Sequence, residues 1–155
     1  MKTEEYFMKE ALKEAKKALK KNEVPIGAVI VKDNLVISRG HNLRETKMNS
    51  LNHAEIIAID KACKKIKNFR LEDCDIYVTI EPCVMCAGAI IQSRIRKVIF
   101  GATDEKYGAV VSIAEMFNLK SNHKVEFEQG ILKEECSQII KEFFKNLRKN
   151  KKSMD

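Results

Sequence analysis

Thirty residues separate His53 from Cys83, yet His53-Ala54-Glu55 and Pro82-Cys83-Val84-Met85-Cys86 carry three side chains suited to one metal ion. Imidazole nitrogen and thiolate sulfur are preferred zinc ligands, and a catalytic zinc keeps three protein ligands and one open position. Each motif falls at the start of a predicted helix, directly after an extended or loop segment. Use of both for one ion requires a fold that brings those two helix starts together. Helix N-termini present unpaired N–H groups and the positive end of the dipole, which favour thiolates. Cys83 and Cys86, three apart in a first turn, share a helix face. His53 and Glu55, two apart, converge only if His53 stands at the very beginning of its helix.

The rest of the chain reads as strands alternating with helices. Thr3 is an N-cap, Glu4 and Glu5 fill a first turn, and Phe7, Met8, Ala11, Leu12, Ala15, Ala18 and Leu19 recur at helical spacing up to Lys20 and Lys21. Ile26 to Val31 and Leu35 to Ser38 form a hairpin around Lys32-Asp33-Asn34. Leu43 to Leu51 is a loop, and a buried helix runs from near Asn52 to about Lys67. Asp75 to Ile80 is a strand, ended by Pro82 at the first position of a helix over Cys83 to Ser93. A strand at Val98 to Phe100, a loop over Gly101 to Gly108, a short helix over Val110 to Phe117 and a strand marked by Val125 and Phe127 follow. A last helical stripe joins Leu132, Cys136, Ile139, Ile140, Phe143, Phe144 and Leu147. The order α-β-β-α-β-α-β-α-β-α predicts a central sheet covered on both faces.

At 155 residues, 45% hydrophobic and 33% charged, the chain fits one globular domain over 1–155, ending in a basic helix at about 133–150. Its longest run without a polar side chain, Cys83 to Ile91, is far shorter than the ~20 residues of a membrane span. The charged N-terminus shows no signal peptide. Five cysteines, two of them in a metal-type spacing, predict no disulfide framework and a reducing cytoplasm. Cys63, Cys74 and Cys136 sit singly in apolar patterns and read as core residues. His41 and His123 fall at predicted strand ends and read as non-ligands. The net charge of +7 is uneven: Lys141, Lys145, Arg148, Lys149, Lys151 and Lys152 stand against Glu142 alone between 141 and 152. That segment is either a solvated helix end or a patch that meets phosphates.

The ligand set predicts hydrolysis. Bound zinc lowers the pKa of water from 15.7 toward ~7, which yields a nucleophile at neutral pH. The expected reaction is attack on a carbon bearing an amino group, with Glu55 taking the water's proton, passing it to a ring nitrogen and later protonating the departing amine. A C-x-x-C pair alone also serves redox proteins and structural zinc sites, but a structural site wants a fourth protein ligand.

H-A-E followed by P-C-x-x-C resembles the zinc-dependent nucleobase deaminases. The resemblance narrows further through Glu23-Val24-Pro25-Ile26-Gly27-Ala28-Val29, Asn42, Tyr77-Val78-Thr79-Ile80-Glu81-Pro82, Ala87-Gly88-Ala89, Phe100-Gly101-Ala102, Asn122-His123 and Phe143-Phe144-Lys145-Asn146-Leu147-Arg148. Over about residues 5–150 the chain is similar to the tRNA-specific adenosine deaminases. That resemblance implies a cytidine deaminase-like, three-layer α/β/α sandwich with a five-stranded mixed sheet. It implies deamination of the wobble adenosine of an arginine tRNA anticodon to inosine, by a cytoplasmic homodimer with one zinc per subunit. The tRNA anticodon stem-loop is the expected partner, with neither membrane nor DNA. His53, Cys83 and Cys86 become the zinc ligands and Glu55 the proton shuttle. Asn42 would bind the flipped base, and Gly27 and Ala54 would let backbone approach the purine. Asp104, Lys106, Asn122 and Arg148 would line the anticodon-loop groove. Tyr107 departs from the family, which has a small residue there. An unpaired anticodon base costs little to extract, and cationic side chains suit a single-stranded loop.

Two other readings compete. A guanine, cytosine or nucleotide deaminase built on the same site would need no basic helix. An RNA-binding scaffold with a structural zinc would leave Glu55 incidental and need a fourth protein ligand.

Overall fold

The computed structural model describes residues 1–154; Asp155, the last residue of the expected domain, lies outside the described residues. Helix α1, Glu4–Lys20, begins where Thr3 accepts a hydrogen bond from the Tyr6 amide at 3.1 Å. Strands β1, Gly27–Lys32, and β2, Leu35–His41, follow as a hairpin. Its turn has two residues, Asp33 and Asn34, at φ 51° and 61°. Paired positive φ values match the right-handed twist of the flanking strands and suit Asp and Asn. Lys32, expected in the turn, therefore belongs to β1, and β2 extends beyond Ser38 to His41.

Helix α2, Ala54–Ile66, strand β3, Cys74–Ile80, helix α3, Val84–Gln92, and strand β4, Lys97–Ala102, come next, then β5, Glu126–Gln129, and α4, Lys133–Met154. The sheet order is β2-β1-β3-β4-β5, with β1 antiparallel to both neighbours and β3, β4 and β5 parallel. Alternation along each strand divides the core. Ala28, Ile30, Ile76, Val78, Val98 and Phe100 face α2 and α3. Val29, Val31, Tyr77 and Ile99 pack with Phe7, Met8 and Ala11 of α1 and Cys136 of α4. This is the expected α/β/α sandwich with a five-stranded mixed sheet.

Each fully buried Ile or Phe contributes roughly 1.5–3 kcal/mol. An exposed pair such as Lys64–Asp60, at 3.0 Å, adds at most about 1 kcal/mol. The two apolar clusters, not the surface ion pairs, hold the layers together. Alanines at 54, 58 and 62 give α2 a smooth face, and it lies so close that a Cβ on Gly40 would meet the Ala54 carbonyl at 2.4 Å.

One expected element is absent. Val110 to Phe117 forms turns and a single 3-10 turn, Met116–Asn118, rather than an α-helix. The Gly108 and Ala109 carbonyls accept from Ile113 and Met116, five and seven residues on, instead of four. The amides of Val110, Val111 and Ser112 turn inward to the Glu81 carboxylate.

Candidate active site

β3 ends beside the start of β1, so the turns after β2, β3 and β4 gather at one end of the sheet. Ligand sites in open α/β sheets lie outside the carboxyl ends of parallel strands. Pro82 follows β3, and Cys83 becomes the N-cap of α3 with extended backbone (φ −76°, ψ 178°). His53 is likewise the N-cap of α2 (φ −74°, ψ 155°), the very position that convergence with Glu55 requires. The His53 side chain makes no capping bond to its own helix, and the Cys83 thiol bonds Cys86, the other candidate ligand on α3. The two cap side chains face each other.

Nδ1 of His53 lies 3.6 Å from Sγ of Cys83 and 3.6 Å from Sγ of Cys86. Zn–S near 2.3 Å and Zn–N near 2.05 Å at a tetrahedral angle give an N···S edge of about 3.6 Å. The three donor atoms fall within 4.8 Å of one another, and among the described residues no other such group of three occurs. The donor set and its spacing fit a tetrahedral metal with one corner left to water.

The electrostatics fit as well. The Cys86 thiol and His53 hold the Cys83 thiol down at about 4, and the bond to Cys83, with burial, pushes Cys86 up. The Cys83 contact raises His53. Crowded donors that share protons in this way release them to a cation, since a coordinating thiol is deprotonated outright. Glu55, 3% exposed, bonds Cys86, and burial lifts its carboxyl to about 7. Proton transfer is most effective from a group poised near the working pH.

Asn42 stands directly after β2, 5% exposed. Its amide donates to the Val24 carbonyl at 3.3 Å and accepts from Arg44 N at 3.2 Å, while Leu43 N bonds Asn52 O. It therefore flanks the chain entering His53. Ala54 is buried as the first residue of α2. Asp104 follows β4 at the same end, and its carboxylate accepts from the Lys106 and Tyr107 amides. Lys106 is exposed on that loop, and Arg148 is exposed in the last third of α4.

Two expected roles meet a different geometry. A Cβ on Gly27 would strike Ala11 O at 2.1 Å and Ala15 N at 2.4 Å, so its missing side chain serves α1, across the sheet from α2 and α3. Asn122 precedes β5 at the opposite end of the sheet: neighbouring His123 bonds Ile95 O at 2.6 Å, and Glu126 N bonds Arg96 O. Six residues of β4 lie between that end and the ligand triad, roughly 20 Å of strand. Asn122 is thus apart from Glu55 within the chain. His41 contacts Glu14 at 3.3 Å, away from the ligands.

Sequence reasoning assigns no role to Glu23 and Glu81, both 2% exposed. Glu23 accepts from the amides of Glu45 and Thr46, fixing the loop before His53. Glu81 holds the loop after β4. The signal in the sequence is an acid one or two residues before each of the chain's two prolines, Pro25 and Pro82.

An α/β/α sandwich whose two facing helix starts present His, Cys and Cys beside a buried glutamate defines the hydrolytic deaminases. The profile of the MafB19-like deaminase family matches residues 1–148. A tRNA-specific adenosine deaminase of Bacillus subtilis is 50% identical over 154 residues, 99% of this chain and 96% of that protein. A structure from a study of A-to-I editing by tRNA:A34 deaminases at the wobble position of transfer RNA superposes with a TM-score of 0.84. It is 42% identical and covers 86% of this chain and 98% of its own. A guanine deaminase of Bacillus subtilis is more distant: 30% identical, TM-score 0.63, covering 78% and 88% of the two chains. The chain belongs to the tRNA-specific adenosine deaminase family.

Proposed function

We propose that this enzyme deaminates the wobble adenosine of an arginine tRNA anticodon to inosine, with one zinc per subunit, as a cytoplasmic homodimer. One observation carries the reading: the N···S spacing of 3.6 Å around His53 equals the edge of a tetrahedral zinc site, with Glu55 buried against it. A tRNA adenosine as substrate is supported by the 50% identity to a relative named tRNA-specific adenosine deaminase. His53, Cys83 and Cys86 would hold the ion. Bound there, zinc supplies Lewis acidity that makes water a nucleophile at neutral pH.

The chain's own residues do the rest. Glu55 takes a proton from the attacking water as the C6–O bond forms, and delivers it to N1 of the purine. It then carries the water's second proton to the amino group at C6, which leaves as ammonia. Water and adenosine yield inosine and ammonia, and the carboxylate returns unchanged. Asn42, beside the chain entering His53, orients the base. Ala54, without a longer side chain, leaves backbone close to the purine, as does the start of β1 at Gly27. Lys106 and Arg148 meet phosphates, and Asp104 holds its loop in shape through the Lys106 and Tyr107 amides. Asn122, at the far end of the sheet, has no part in the pocket of its own protomer.

Incubation of zinc-loaded protein with an anticodon stem-loop bearing a wobble adenosine, and separately with guanine, cytidine and adenosine, tests the reading. Inosine in the stem-loop is expected. Ammonia from guanine or cytidine, with an unmodified stem-loop, would transfer the site to the rival deaminases.

A further inference from the structure

Among the described residues Glu81 forms no salt bridge, although it is buried. Its charge is met by backbone amides instead. One oxygen accepts from Val110, Val111 and Ser112 N at 3.0, 2.8 and 3.0 Å, and the other from Asp104 N at 3.1 Å and from the Ser112 hydroxyl. The segment from Thr103 to Ile113 has neither helix nor strand to occupy these donors. Buried N–H groups must find an acceptor, and here a single carboxylate serves four of them.

Glu81 is also tied to the metal ligands through the backbone. Its own N–H bonds Ala102 O at 2.8 Å, and Ala109 N bonds Pro82 O at 2.8 Å. Gly108 leaves room for it, since a Cβ there would lie 2.3 Å from the Glu81 carboxyl carbon. We propose that Glu81 is a positioning residue, which fixes the Asp104–Lys106 loop relative to Cys83. On the reading under Proposed function, one side chain then sets the separation between the reacting centre and the loop that grips RNA. Glu81 itself would touch neither substrate nor metal.

The test compares zinc-loaded wild type, E81Q and E81D in amide hydrogen exchange, metal content and steady-state deamination of the stem-loop. Gln has the size of Glu but turns an NH2 group toward N–H donors. E81Q should keep one zinc per chain and speed exchange across 103–113 by about 10- to 100-fold. KM for the stem-loop should rise about 10-fold while kcat stays within about 3-fold. E81D keeps the acceptor oxygens and should recover part of both effects. Wild-type exchange with wild-type KM in E81Q would overturn the proposal, as would a fall in kcat and zinc with KM unmoved. Should E81Q fail to fold, S112A, which removes only the hydroxyl donor, must still speed exchange in that segment severalfold, and no change there would overturn it equally. A wild type that makes no inosine sinks the functional reading alone, because the exchange comparison still decides whether Glu81 holds the loop.

Discussion

Nδ1 of His53 and Sγ of Cys83, each on a helix N-cap, meet at 3.6 Å across thirty residues of chain. The contact forms because both caps have extended backbone, so their side chains leave the helix axes and point into the gap between α2 and α3. Removal of either ligand should therefore empty the site. C83S and H53A are expected to retain less than about a tenth of the wild-type zinc and to lose deamination about 1,000-fold or more. Metal analysis after gel filtration checks this. A C83S protein with full zinc would contradict the ligand assignment.

Glu55 is different in kind, since it lies against the ligands rather than among them. E55Q should bind zinc as wild type does, because no ligand is lost. Its single-turnover rate should fall by about 100- to 10,000-fold, the range for removal of a positioned proton carrier. Zinc content and rate measured on the same preparation separate the two roles. Near-normal turnover with bound zinc would rule out the shuttle.

The ligand site was readable because residue type and spacing dictate it: three donors and an acid at two predicted helix starts. The layers were readable because β1 and β3 are rich in β-branched and aromatic residues and the helices keep a 3.6-residue stripe. What escaped is held by contacts that no periodicity records. Val110 to Phe117 has helical composition, yet its amides prefer the Glu81 carboxylate, a partner about thirty residues upstream. The close approach of α1 to Gly27, which leaves no space for a Cβ on that side, has no periodic signal either. Asn122 could be placed only once β5 had been seen to start beside Arg96.

The Gly27 finding has its own consequence. G27A would push a methyl group against two backbone atoms of α1, neither of which can swing aside as a side chain does. Overpacking of this kind costs about 1–3 kcal/mol, and backbone obstacles favour the upper end. The urea midpoint should drop accordingly, while the zinc of the folded fraction stays near one per chain. Unchanged stability would mean that α1 moves freely over β1.

The outer turns of α4 carry Lys145, Arg148, Lys149, Lys151 and Lys152. Because Arg148 and Lys149 are exposed, charge reversal at both should spare the fold. Removing one phosphate-binding cation flattens the slope of log K against log salt by roughly 0.7 for single-stranded RNA. The R148E/K149E double variant should therefore bind the stem-loop more weakly at low salt and show a slope smaller by about 1 to 1.5. Binding curves at three salt concentrations decide it. An unchanged slope would remove α4 from the RNA surface.

Glu23 makes the acid limb of stability testable. Burial pushes its carboxyl up, but hydrogen bonds from Thr46 and Glu45 and the charge of Arg44 outweigh that and leave it below the ordinary value of 4.5. The folded protein thus holds the proton less well than the unfolded chain does. Such a group contributes stability that is fully present above pH 4.5 and is lost as pH falls through the lower folded-state value. E23Q cannot titrate and leaves two amides facing a poorer acceptor, so it should be less stable than wild type by about 1–3 kcal/mol at pH 7. That gap should narrow steadily below about pH 4.5 as wild type takes up its proton. Urea unfolding of both proteins from pH 7 to pH 3 measures it. A gap that stays constant across that range, or is absent at pH 7, would show that the loop before His53 does not depend on the Glu23 charge.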